Sequence, residues 1–163
     1  MSEPKPLSAM VAEFHRTFNV PVKTLPELPN EFLCLSDSYK SAYREIAGAI
    51  AECPDATRGN RRQLRVSLLL EEVREYIEAE LANDLVGIAD ALADMAYIIH
   101  GTAHEYGIPL DEVSGEVHRS NMSKVGPDGK AEVRPDGKIL KGPGFTRPDI
   151  AGILVRILAR AGQ

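Results

Sequence analysis

A chain of 163 residues is sized for one domain, or one domain with a helical appendage, and its 44% hydrophobic content supplies a core. A net charge of −5 argues against a nucleic-acid polymer as partner, and 26% charged residues is ordinary for a soluble globular protein. Cys34 and Cys53 stand apart, outside any CxxC arrangement and with no signal peptide, which points to free thiols in a reducing cytoplasm.

Taken in order, Met1 to Pro6 reads as a frayed terminus. Ser8 is placed to cap a short helix through about Asn19, with Met10, Val11, Phe14 and Phe18 on one face. Pro21, Pro26 and Pro29 mark an extended loop, and Phe32, Leu35, Tyr39, Tyr43, Ile46 and Ile50 suggest a second helix from Glu31 to Glu52. A third helix is predicted from Arg61 to Ala82 and a fourth from Leu85, with Asn83-Asp84 as the break that makes the two an antiparallel hairpin. Gly107-Ile108-Pro109 ends the fourth. A fifth spans Leu110 to Met122, and a last one closes the chain from Pro148 to Arg160. Between them Pro127-Asp-Gly-Lys130 and Pro135-Asp-Gly-Lys138 repeat one turn sequence, so short strands or a β-hairpin are expected there. The expectation is an all-α helical bundle built on the hairpin. It forms a single domain over 1–163, with 31–54 as a candidate helical insertion and 123–147 as a basic loop segment.

The chemistry concentrates in the hairpin. At about 100° per residue, Glu71, Glu72, Glu75 and Glu78 fall within roughly a third of the third helix, with Val66, Leu69, Leu70, Val73, Tyr76, Ile77 and Leu81 opposite. An ordinary surface helix with a solvated acidic face would look the same. In the fourth helix, however, Asp90 and Asp94 are the sole formal charges from Leu85 to Ala103, among residues apolar around the whole cylinder. Such a helix is expected to be buried, and two aspartates argue against its crossing a bilayer. No lysine or arginine lies between Arg74 and Arg119 to compensate them. A divalent cation shared with the glutamates does so with few assumptions. From Arg119 to Arg147, seven Lys/Arg face three Asp/Glu, a local balance of +4 against −9 elsewhere. Acidic pocket and basic segment together suit an anionic substrate that carries its own metal, such as a nucleotide polyphosphate.

Glu71-Glu72-x-x-Glu75 followed by a helix with a closely spaced acidic pair resembles the signature of the all-α NTP pyrophosphohydrolases, which include MazG, the dimeric dUTPases and phosphoribosyl-ATP pyrophosphohydrolase. Further similarity to the MazG-like, dUTPase-related branch lies in Glu13-Phe-His-Arg16, Arg65, Glu116-Val-His-Arg-Ser-Asn-Met-Ser-Lys124, Gly137-Lys-Ile-Leu-Lys141 and Arg147-Pro-Asp149. The family's second motif is ExxD. With Asp94 as its aspartate, Ala91 stands where the glutamate belongs, and Asp90 is offered one turn before Asp94. The resemblance implies hydrolysis between the α and β phosphates, releasing NMP and pyrophosphate. It implies Mg²⁺, with Mn²⁺ as an alternative, on Glu72, Glu75, Asp94 and Asp90, and Glu71 as base or orienter of the attacking water. Arg65, Arg119, Asn121, Lys124, Lys138 and Lys141 would bind the nucleotide, for which dUTP or a non-standard (d)NTP is expected. The assembly it implies is a homodimer, with a tetramer as the alternative. Competing readings are a phosphoribosyl-ATP pyrophosphohydrolase and a non-catalytic interaction module with an acidic stripe.

Overall fold

The computed structural model describes residues 5–28, 36–54, 58–126 and 129–161. Its helices are α1 (Leu7–Thr17), α2 (Asp37–Ala51), α3 (Arg61–Ala82), α4 (Leu85–Tyr106), α5 (Leu110–Met122) and α6 (Ile150–Ala161). Among the described residues, β-structure is confined to one antiparallel bridge between Val133 and Ile139. The fold is all-α. The chain gathers into two compact units, one of Lys23–Tyr106 and one of Met1–Val22 with Gly107–Gln163.

In the first unit the caps explain the hairpin. The Asn60 side chain accepts from the Gln63 N–H at 3.1 Å and starts α3. Asn83 ends it in the left-handed conformation, φ 54 and ψ 36, which asparagine tolerates. Asp84 then accepts from the amides of Val86 and Gly87 at 3.0 and 3.1 Å and opens α4. A break of two residues, each with its own hydrogen-bonding role, thus reverses the chain.

Two close approaches fix the register of α3 against α4. A Cβ added at Gly87 would lie 3.1 Å from the Ala79 Cβ, and one at Gly101 would lie 3.1 Å from Arg65 Nη1. Arg65, Glu72 and Ala79 are seven residues apart on α3, and Gly87, Asp94 and Gly101 are seven apart on α4. Seven residues are two turns, so each trio forms one row along its helix. Antiparallel pairing of Ala79 with Gly87 and of Arg65 with Gly101 leaves Glu72 opposite Asp94, midway between the contacts. Gly87 lets the helices approach closely at one end, and Gly101 makes room for the Arg65 guanidinium at the other.

The fourth helix is less covered than its composition implied. Ile88, Ala91 and Ala103 are buried, whereas Val86, Leu92 and Ile99 are exposed and Tyr97 is 82% exposed. Among the described residues the side of α4 toward α3 is the covered one, because one antiparallel neighbour can cover only part of a helical cylinder. On α3, Leu68 is half-buried while Leu64 and Val66, placed respectively on the acidic and apolar sides, are exposed. Helix α2 starts at Asp37 after Ser36, later than the expected Glu31, and residues 31–35 lie outside those described. Among the described residues no helix is long and apolar enough to cross a membrane.

In the second unit α1 packs on α5. It starts at Leu7 rather than on a Ser8 cap, because the Pro6 carbonyl already accepts from Ala9 and Met10 at 3.0 and 3.1 Å. It ends at Thr17, short of Asn19, with Phe18 buried against Phe14 at 4.4 Å between ring centroids. The second of the two repeated turn sequences makes a tight hairpin. Gly137 N–H donates to the Arg134 carbonyl, and Arg134 N–H to the Lys138 carbonyl, both at 2.8 Å. Gly137 sits at φ 85, where a side chain would be strained. Of the first copy, Pro127 and Asp128 lie outside the described residues. Asp149 caps α6 by accepting from Gly152 N–H at 2.9 Å, so that helix begins at Ile150, after the expected Pro148.

Candidate active site

Glu72 is the focus of the hairpin. It is half-buried, and among the described residues its Oε2 atom is shut off from solvent with no hydrogen-bond partner. Burial pushes its carboxyl above the usual glutamate range. The negative charges of Glu75, Asp94, Glu71 and Asp90 push it further. All five carboxylates named from the sequence therefore share one electrostatic neighbourhood. A buried carboxylate oxygen without a donor costs on the order of 1–3 kcal/mol, more when charged, so it marks a place where a cation is wanted. The donor set is entirely carboxylate oxygen, which suits a hard divalent ion rather than a thiophilic one. The residues present fit such an ion, although among the described residues no three His, Cys, Asp or Glu side chains are gathered closely enough to enclose one.

The five differ in setting. Asp94 lies in the row facing α3, opposite Glu72. Asp90 lies one turn earlier on the same helix, and both aspartates are exposed. Ala91 is 2% exposed, on the buried side of α4, so the place of the family's glutamate is held by a methyl group with no solvent around it. Glu75 is exposed and 3.6 Å from Arg74, which mainly holds Glu78 at 3.0 Å. Glu71 is exposed and lines a cavity of about 200 Å³ against the end of α2, with Cys53, Ser67 and Arg74 among its lining. That volume admits several waters. Cys53 is an exposed free thiol, and Cys34 lies outside the described residues.

Arg65 shares the row of Glu72, and among the described residues its buried Nε likewise has no hydrogen-bond partner. Its Nε lies 3.4 Å from Glu105, which also takes a two-point contact from Arg61 at 2.7 and 3.1 Å. Glu105 is held below the usual carboxylate range, chiefly by the Arg61 hydrogen bonds. The sequence reading had no role for Glu105. Its separation from Arg61 by 44 positions hid the pairing until the hairpin register was known.

The remaining nucleotide-binding candidates belong to the other unit. Arg119 is committed locally: it donates to both oxygens of Glu116 at 2.7 Å, to Thr146 Oγ1 at 2.7 Å and to the Arg147 carbonyl at 3.1 Å. Glu116 also accepts from Asp149 N–H at 2.7 Å, and Arg119 with that amide draws its carboxyl down to about 2. Here Arg119 and Glu116 tie the 146–149 segment to α5. Lys124 sits 5.6 Å over the Phe14 ring and Lys141 4.8 Å over Phe145. Lys138 is exposed, its amide donating to Asp136 at 3.2 Å. Asn121 lines a cavity of about 490 Å³ between α1 and α5, walled mainly by aliphatic side chains and Phe14.

The profile of the phosphoribosyl-ATP pyrophosphohydrolase family matches residues 40–121, half of the chain, with both acidic helices inside the match. The chain belongs to that family, and with it to the all-α NTP pyrophosphohydrolases. That family is one of nucleotide pyrophosphohydrolases. An uncharacterized protein of Acanthamoeba polyphaga mimivirus is 41% identical over 49 residues, 30% of this chain and 20% of the viral protein's length. The crystal structure of a "putative NTP pyrophosphohydrolase" from Exiguobacterium sp. 255-15 superposes with a TM-score of 0.62. It is 23% identical, over 98% of this chain and 99% of that one, a likeness of fold.

Proposed function

We propose that this protein is a Mg²⁺-dependent nucleoside triphosphate pyrophosphohydrolase that cleaves between the α and β phosphates and releases NMP and pyrophosphate. The single observation that carries the reading is the orphaned Glu72 oxygen opposite Asp94. A pair of like charges facing each other across two helices is unfavourable in a protein that holds no cation, and favourable in one that does. Glu72 and Asp94 would hold Mg²⁺ or Mn²⁺ with Glu75, while exposed Asp90 would complete the set in the role that Ala91 cannot fill. When bound, the ion supplies charge neutralisation at the phosphates and orientation of the substrate.

Glu71 is the base or orienter of the attacking water. Its charge acts on Glu72, and it lines a space with room for several waters beside Ser67 and Arg74. Arg65, Asn121, Lys124, Lys138 and Lys141 remain nucleotide-binding candidates, whereas Arg119 contributes by holding the 146–149 segment on α5.

The substrate is dUTP or a non-standard (d)NTP. Phosphoribosyl-ATP is the second reading, favoured by the description of the family whose profile matches. We further propose a cytoplasmic homodimer, with a tetramer as the alternative. The exposed apolar stripe of Leu92 and Ile99 on α4 supports a partner, and the exposed Cys53 thiol suits a reducing compartment.

The test is a panel of (d)NTPs, dUDP and phosphoribosyl-ATP with Mg²⁺ or Mn²⁺, followed by release of the monophosphate product and pyrophosphate. Turnover of one class, lost in Glu72→Gln, supports the reading. Turnover confined to phosphoribosyl-ATP moves the assignment to the second. Silence across the panel overturns both.

A further inference from the structure

We propose that His100 and His104 form a two-imidazole site for a borderline transition metal, Zn²⁺, Ni²⁺ or Cu²⁺, on the exposed side of α4. The two residues are four apart in an uninterrupted helix, about 6 Å along its axis, so both rings project from one face. Histidines at this spacing on a helix are a known chelating geometry for such ions. Both are exposed. Among the described residues neither joins a hydrogen bond or an ion pair.

The chain's other two histidines are engaged. His15 Nδ1 is 3.0 Å from the Pro21 carbonyl, and His118 Nε2 is 3.5 Å from Glu13. Among the described residues the α4 pair leaves both nitrogens of two neighbouring rings without a protein partner, whereas His15 and His118 each stand alone. The pair also lies apart from the carboxylates. At about 100° per residue, Asp94 is roughly 120° around the helix from His100. The two places differ in donor chemistry: nitrogen favours Zn²⁺, Ni²⁺ and Cu²⁺, while the carboxylates favour Mg²⁺. Two protein donors leave the remaining positions to water.

The site is read directly from the imidazole resonances of the full-length protein, titrated with Zn²⁺ in excess Mg²⁺ so that oxygen sites are occupied. The His100 and His104 signals should move together while those of His15 and His118 stay in place. In His100→Ala, which keeps a good helix former at an exposed position, the response of His104 should weaken roughly 100-fold because the second donor of the chelate is gone. Glu72→Gln should leave the response intact, so failure of the carboxylate reading and failure of this one are distinguishable. Four signals that respond alike, or a His104 response unchanged in His100→Ala, would overturn the proposal.

Discussion

The α3–α4 hairpin and the α5 junction with residues 146–149 handle charge in opposite ways. At the junction Glu116 is fully answered: Arg119 meets both oxygens, the Asp149 amide adds a third donor, and Thr146 and Arg147 occupy the rest of the guanidinium. At the hairpin Glu72 faces Asp94 with further carboxylates around it and an oxygen that nothing answers. One carboxyl is consequently held far below its ordinary range and the other is pushed above it. Satisfied polar groups hold a fold together, and a group left unsatisfied at a fixed position is held for something that binds.

The largest expected effect lies on the unsatisfied side. Glu72→Gln and Asp94→Asn should each lose at least the roughly 10–100-fold that changes around a metal's ligands cost, read as kcat/KM with Mg²⁺. Asp90 acts on Glu72 less strongly than Asp94 does, so Asp90→Asn, which removes the last member of the set, should lose less than either. Glu71→Gln should lower kcat by about 100-fold or more as a missing base. It should keep most of the thermal stabilisation the ion confers, because Glu71 is assigned to the attacking water rather than to the ion.

On the satisfied side the pH dependence runs the other way. Glu116 is depressed to about 2, so its contribution is fully present above the ordinary glutamate range and is lost as pH falls toward 2. Amide exchange of Thr146 and Asp149 should therefore accelerate across that acid window in the wild type. In Glu116→Gln it should already be fast at neutral pH and flat with acid. The smallest effect is at the cap: Asn60→Ala should cost about 1 kcal/mol of stability, measured by denaturant unfolding, with kcat/KM little changed.

Both helices of the hairpin were legible because periodicity and polar breaks coincide: α3 spans the expected Arg61–Ala82, and Asn83-Asp84 ends it. The grouping of Glu71, Glu72, Glu75, Asp90 and Asp94 was legible for the same reason. The facing of Glu72 with Asp94 was not, since it depends on where Gly87 and Gly101 let the helices touch. Nor was the engagement of Arg119. A basic residue next to an acidic region reads the same whether it awaits a phosphate or, like Arg119, is committed to Glu116. The apolar wrap of α4 was read as burial, but one neighbouring helix leaves Leu92, Tyr97 and Ile99 exposed.

The most direct test of the central claim is thermal unfolding at neutral pH, with EDTA and with Mn²⁺, of wild type, Glu72→Gln and Asp94→Asn. A raised carboxyl favours the folded state below the unfolded value and opposes it once pH rises through the folded one. The metal-free variants should therefore melt above the metal-free wild type. Mn²⁺ should raise the wild-type Tm and leave both variants nearly unmoved. A wild type that ignores Mn²⁺, or variants that respond as it does, would contradict the assignment of Glu72 and Asp94 as a cation site.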